Sequence, residues 1–323
     1  MRSIQLLDIQ SSLPFLVLFL LDVMMPGMNG YEVCEILKSD DSTSGIPIIF
    51  ITALNDAVNE TKGIELGAVD YITKPINPDI VKSRVRNHLK LKKYQDHLEE
   101  LVEERTLEIK QTQEATIESM AALAEFRDPE TGGHIRRTQN YIKVLAQTLR
   151  QNPKFQDNLD DQTIYMLYLS APLHDIGKVG IPDEILLKPG KLTLEEFEIM
   201  KMHTVYGRDA IATAEKKIVG KSFLSFANEI AYGHQEKWDG SGYPEGLSSE
   251  EIPLSARLMA IADVYDALIS KRVYKPAYTH EDAVGMIKND SGTHFDPEIV
   301  DAFLHVTDLF DQIGKKYIDK EIE

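Results

Sequence analysis

Tyr165 to Lys178 reads YMLYLSAPLHDIGK, an apolar run that ends in His174 and Asp175. A run of this kind predicts a buried helix. It carries an imidazole and a carboxylate toward the interior. An ionised carboxylate there costs on the order of several kcal/mol unless it is paired or metal-bound. A second apolar helix is predicted over Leu254–Leu268 (LSARLMAIADVYDAL), with Asp263 in its middle. Two apolar helices thus each deliver an acid inward.

The histidines sharpen the pattern. Of nine, His88, His97, His280 and His305 stand in ordinary helical contexts, and His294 in the turn SGTHFDP. The other four sit beside acids or glycines: His134 in PETGGH, His174 in HDIGK, His203 in MKMH and His234 in GHQE. Glu130 lies four residues before His134, and the capping box Thr193-Leu194-Glu195-Glu196 opens the helix that carries His203. Imidazoles with interior carboxylates are the ligand set of Fe, Mn, Ni or Zn. There are more of them than one ion needs.

The surrounding composition is that of a soluble globular chain of 323 residues, 43% hydrophobic and 27% charged, a length that suits two domains. A formal net charge of -17 argues against binding to nucleic acid polymers or anionic membranes. One cysteine, Cys34, excludes an intramolecular disulfide and fits a cytoplasmic setting. The run LPFLVLFLL, Leu13–Leu21, is too short to span a bilayer. It reads as a buried parallel strand or as a secretory apolar segment, and the lack of a small-residue cleavage site favours the strand.

From that strand onward, short apolar runs alternate with amphipathic stretches: a helix over Tyr31–Lys38, a strand over Pro47–Thr52, a helix over Asp56–Leu66, a strand over Val69–Thr73 and a helix from Pro78. This alternation predicts a parallel sheet faced by helices. Asp22, Thr52 and Lys74 fall at or just past strand ends, where such sheets bind ligands. LLDVMMPGMNGYE, IFITA and GAVDYITKP resemble the receiver domain of bacterial response regulators, a flavodoxin-like fold. The resemblance implies Asp22 as phosphoacceptor, Thr52 and Tyr71 as switch residues, Lys74 as phosphoryl contact, and a cis bond before Pro75. It also implies a Mg²⁺ site and a partner histidine kinase. The chain departs from the family in one respect: only Met1–Ser12 precede the Asp22 strand, and Asp8 is a lone acid. The first strand-helix-strand unit and the acidic pair that holds Mg²⁺ are missing, so the domain is a partial one with an exposed apolar edge, either a remnant or a chain with a displaced start.

His88–Ala124 is charged and free of Gly and Pro, with Leu91, Tyr94, Leu98, Leu101, Ile109, Thr112, Thr116 and Met120 at helical spacing. It reads as a helix that pairs with that of a second subunit, or as a solvated single helix.

In the remaining chain, ETGGH, HDIGKVGIP, MKMHTVYG, EKWDGSGYP and ADVYDALISKRVYK resemble the HD-GYP family of cyclic di-GMP phosphodiesterases. The resemblance implies an all-helical domain with two or three divalent ions, Fe, Mn or Ni. Its implied ligands are His134, His174, Asp175, His203, His234 and Asp263, with Glu130 supporting a third ion. It makes Asp175 and Lys178 the catalytic pair, and Lys178, Tyr243, Arg272 and Lys275 the substrate contacts. Diguanylate cyclase (GGDEF) domains are implied partners. Gln235 stands where the family has a second histidine, as a weaker metal ligand, so a working enzyme and a domain that binds without cutting both stay open. The expected organisation is multidomain: a partial α/β receiver-like domain (1–90), a helical coiled-coil linker (91–120) and an all-α HD-type phosphohydrolase domain (121–323).

Overall fold

The computed structural model describes residues 18–53, 57–126, 133–218, 220, 222–270 and 277–317. The chain divides into two compact units, Met1–Ile109 and Lys110–Glu323.

In the first unit, strands β1 (Phe19–Asp22), β2 (Ile48–Ala53) and β3 (Asp70–Lys74) form a parallel sheet in the order β1-β2-β3. Helices α1 (Gly30–Ser39) and α2 (Ala57–Glu65) make the crossovers. The central strand opens on the apolar run Ile48–Ile51, as suits a strand covered on both faces, and Ile48, Ile49 and Phe50 are buried. α1 starts where it does because Asn29 and Glu32 cap it reciprocally: Asn29 Oδ1 accepts the N–H of Tyr31 and Glu32, and Glu32 accepts the N–H of Asn29. Leu20 on β1 is exposed, and among the described residues β1 pairs only with β2.

Helix α3 runs unbroken from Pro78 to Glu125. Leu91, Tyr94, Leu98 and Leu101 stay exposed along it. Its last turns bury Ile117 and Ala121, with Ile117 packed in a cluster with Leu169, Leu173, Ile211, Ala227 and Ala231.

The second unit is helical: α4 (His134–Leu149), α5 (Pro153–Gln156), α6 (Asp161–Ser170), α7 (Asp183–Leu186), α8 (Leu194–Glu215), α9 (Phe223–Gly233), α10 (Leu254–Ile269), α11 (His280–Asn289), α12 (Pro297–Leu304) and α13 (Thr307–Lys316). Its core centres on buried Tyr141, Tyr265, Phe303 and Phe310, with Tyr141 stacked on Phe310 at 4.4 Å between centroids.

The apolar run that opened the sequence is not one helix. α6 stops at Ser170, and Ala171–Leu173 tighten into a 3₁₀ turn before His174. Pro172 is the cause. It has no N–H to donate to the carbonyl four residues back, at Tyr168. Gln139 Nε2 donates to that carbonyl instead, at 3.2 Å. A second 3₁₀ segment, Ile176–Gly180, then lies against α8. The approach is so close that a Cβ on Gly177 would sit 1.9 Å from the carbonyl oxygen of His203. Among the described residues no helix is long and apolar enough to cross a membrane.

A candidate metal centre built from two clusters

Six side chains converge in the second unit in two groups: His134, His174 and Asp263, and Asp175, His203 and His234. α4 starts at His134, the turn after α6 supplies His174 and Asp175, α8 carries His203, the end of α9 places His234, and α10 carries Asp263. In the first group the Nε2 atoms of His134 and His174 are 3.3 Å apart, with Asp263 Oδ1 3.8 and 3.9 Å from them. In the second, Asp175 Oδ1 lies 3.4 Å from His203 Nε2 and 3.6 Å from His234 Nε2. The other oxygen of Asp175 lies 3.2 Å from His174 Nε2 and 2.7 Å from Lys178 Nζ. Asp175 therefore belongs to both groups, one oxygen to each.

The tautomers follow from the partners. Nδ1 of His174 faces the carbonyl of Ala171 at 2.9 Å, Nδ1 of His203 that of Met200 at 2.8 Å, and Nδ1 of His234 that of Ile230 at 3.0 Å. A carbonyl only accepts, so Nδ1 carries the proton and Nε2 turns a lone pair inward. His203 and His234 then bring two Nε2 atoms to 3.5 Å with no proton between them. Converging lone pairs and carboxylates are a donor set for divalent cations, and the residues fit such ions. Burial holds the His203 imidazole down to about 4, so it is neutral at neutral pH. Asp175 is buried, which disfavours its charge, but the Lys178 ammonium outweighs that and its carboxyl stays well below the usual range.

Around the two clusters stands a supporting layer. Asp266, one turn after Asp263, is buried and accepts His134 Nδ1–H at 2.8 Å. Arg137 clamps the same carboxylate with Nε at 2.7 Å and Nη2 at 2.9 Å. Despite its burial, the bonds from His134 and Arg137 keep the Asp266 carboxyl below its ordinary value. The Gly233–Pro244 loop is organised by Glu236, a buried carboxylate that accepts the backbone N–H of Glu245, Gly246 and Leu247. Burial nonetheless raises the Glu236 carboxyl. Gly242 is required there, since a Cβ would lie 2.3 Å from the nitrogen of Lys237; its tight contact is within the loop itself. The Tyr243 ring lies against His203, 6.3 Å between centroids, and Lys201 Nζ sits 5.5 Å from its centre. Burial, then the Asp175 charge, push the Tyr243 hydroxyl up. Gln235 is half-buried beside His234, and its main-chain carbonyl accepts the Tyr243 N–H. Glu130, Arg272 and Lys275 lie outside the described residues.

In the first unit, Lys74 Nζ pairs with Asp22 Oδ2 at 2.6 Å, and Met24 N–H donates to Oδ1. Thr52 is buried on the neighbouring strand, and Tyr71 is half-buried under the Arg84 guanidinium. The bond before Pro75 is cis, as expected. Among the described residues Asp22 is not part of a cluster of three metal-ligating side chains. His88 pairs with Asp70, His280 with the Tyr265 hydroxyl and His305 with a backbone carbonyl.

Sequence reasoning missed Asp266, Arg137 and Glu236. The i, i+3 spacing of Asp263 and Asp266 on an apolar helix was a usable signal. The backbone partners of Glu236 leave no trace in the sequence.

Residues 118–299 match the HD domain family, and residues 8–86 the response regulator receiver domain family. A protein of Vibrio cholerae named "Probable cyclic di-GMP phosphodiesterase" is 50% identical over 94% of this chain and 71% of its own length. The "Cyclic di-GMP phosphodiesterase response regulator RpfG" of Xanthomonas campestris is 36% identical over 92% of this chain and 77% of its own. A "Cyclic di-GMP phosphodiesterase" of Thermotoga maritima is 37% identical over 90% and 80%. On these matches the chain belongs to the family of response regulators that join a receiver domain to an HD domain.

Proposed function

We propose that the second unit is a metal-dependent phosphodiesterase that hydrolyses cyclic di-GMP to linear pGpG, under the control of two-component signalling. One observation carries the reading: two imidazole-carboxylate clusters share Asp175, and Lys178 stands on the shared carboxylate. It is supported by the names of relatives at up to 50% identity.

Water adds to phosphorus, the P–O3′ bond breaks, and the 3′ oxygen leaves as a hydroxyl. Divalent ions bound by the clusters would supply Lewis acidity toward the phosphate and lower the pKa of the attacking water. His134, His174 and Asp263 would hold one, and His203 and His234 the other, with Asp175 offering one carboxylate oxygen to each group. Fe, Mn and Ni suit this donor set. Lys178 Nζ, partly exposed beside Asp175, donates to the equatorial oxygens as their charge grows. Tyr243 borders the substrate; Arg272 and Lys275 are assigned to its second phosphate or a guanine edge, and Glu130 to a third ion. In the test, protein loaded anaerobically with Mn²⁺ or Fe²⁺ is incubated with cyclic di-GMP and the products are separated by chromatography. We expect pGpG, and a loss of at least about a hundredfold in Asp175→Asn. Folded, metal-loaded protein without turnover overturns the reading.

Gln235 favours a second reading, a nucleotide receptor with a weakened centre, because an amide replaces an imidazole beside His234. Gln235→His separates the two: a large gain in turnover means that the glutamine disables the site.

For the first unit, the Lys74–Asp22 pair supports Asp22 as phosphoacceptor, with Mg²⁺ and a histidine kinase as partners in a cytoplasmic pathway. The exposed stripe Leu91, Tyr94, Leu98, Leu101 supports a homodimer through α3. The Tyr243 loop is the surface assigned to a GGDEF partner.

A further inference from the structure

A cavity of about 390 Å³ opens in the second unit between α5, α6, α9 and α10, and none of the candidate metal ligands lines it. That volume lies at the small end of the range for small-molecule sites, about 300–1,000 Å³. Its apolar wall is made by buried Phe155, Leu159, Leu167 and Phe226. Its polar groups come in two kinds. Glu229 is fixed through Oε2 by the hydroxyl of buried Ser255 at 2.5 Å, while Oε1 makes no hydrogen bond with the described residues. Arg257, its side chain only 10% exposed, gives one nitrogen to Asp296 at 2.6 Å and keeps a buried Nε–H without a partner among the described residues. Lys154 bridges Glu250 and Glu298 at the rim.

The Arg257 Nε–H is sealed from solvent and does not face the opening, so the groups available to a ligand are the Glu229 carboxylate and, at the rim, the Lys154 ammonium, which suit a planar group that donates along one edge and accepts along another. Guanine does so: its N1–H and N2–H₂ edge suits the carboxylate, and its O6 and N7 suit the lysine. Adenine has an acceptor at N1 and would oppose Glu229. We propose that this cavity is a binding site for a guanine nucleoside or nucleotide, separate from the metal centre. The site stands on helices that also carry the centre. Glu229 lies five residues before His234, and Ser255 eight before Asp263, about 8 and 12 Å along their helices. The inference concerns binding alone and does not require turnover.

Calorimetry of the full chain with guanosine, which lacks a phosphate for the metal centre, tests it. Guanosine binds, adenosine binds at least about tenfold more weakly, and Glu229→Gln, which keeps an acceptor for Ser255, loses about tenfold. Thr163→Trp, filling the cavity from a half-exposed position, abolishes binding. Asp175→Asn retains it. No binding at millimolar guanosine, equal binding of adenosine, binding unchanged in Thr163→Trp or Glu229→Gln, or its loss in Asp175→Asn each overturns the proposal. Circular dichroism shows that each variant is folded.

Discussion

Asp266 contributes to the centre without belonging to either cluster. It accepts the Nδ1 proton of His134 while Arg137 grips the same carboxylate. The arrangement fixes which nitrogen of His134 is a lone pair. Asp266→Asn should weaken metal binding about 10–100-fold, read by metal content per chain at limiting ion. It also removes the charge that Arg137 grips, so a denaturant titration should report a lower stability. His134, His174, Asp175, His203, His234 and Asp263 were legible because acids and imidazoles on apolar segments have few other uses. Asp266 was not singled out, since the same residue type one turn along a helix also suits a solvated position. Glu236 was hidden for another reason: its partners are peptide N–H groups, which every sequence supplies.

Among the elements, α8 shows how a local signal sets a site. Thr193 and Glu196 close a capping box, and Lys188 Nζ reaches Glu196 at 2.6 Å. This fixes the start of the helix that carries His203. Bonds from Lys188 and from the Thr193 N–H hold the Glu196 carboxyl below its ordinary value. A depressed carboxyl stabilises the fold above its unfolded value and loses that contribution as pH falls through the folded one. Wild type should therefore melt above Glu196→Gln at neutral pH, and the gap should close as pH drops below about 4.3. The capping box was readable from four letters. The break of the Tyr165–Leu173 run was readable only in part, because Pro172 announces a lost hydrogen bond but not that Gln139 would take the freed carbonyl.

At the scale of the whole molecule, α3 is the element that both units share, since their division falls within it at Ile109. Strand-helix alternation disclosed the first unit and buried carboxylates the second. The helix pattern predicted α3 but not its partner, because an apolar stripe at heptad spacing is equally exposed in a lone helix. Leu98→Asp with Leu101→Asp decides between them. If α3 pairs with a second copy, light scattering should show the mass fall from dimer to monomer while the thermal transition of the second unit stays in place.

Each imidazole of the two clusters is tethered through Nδ1 to an oxygen of the scaffold. The scaffold itself holds the rings in their orientation. Chelation should therefore drain a rigid vessel and leave its shape intact. Refilling should need only the shedding of hydration water from the incoming ion.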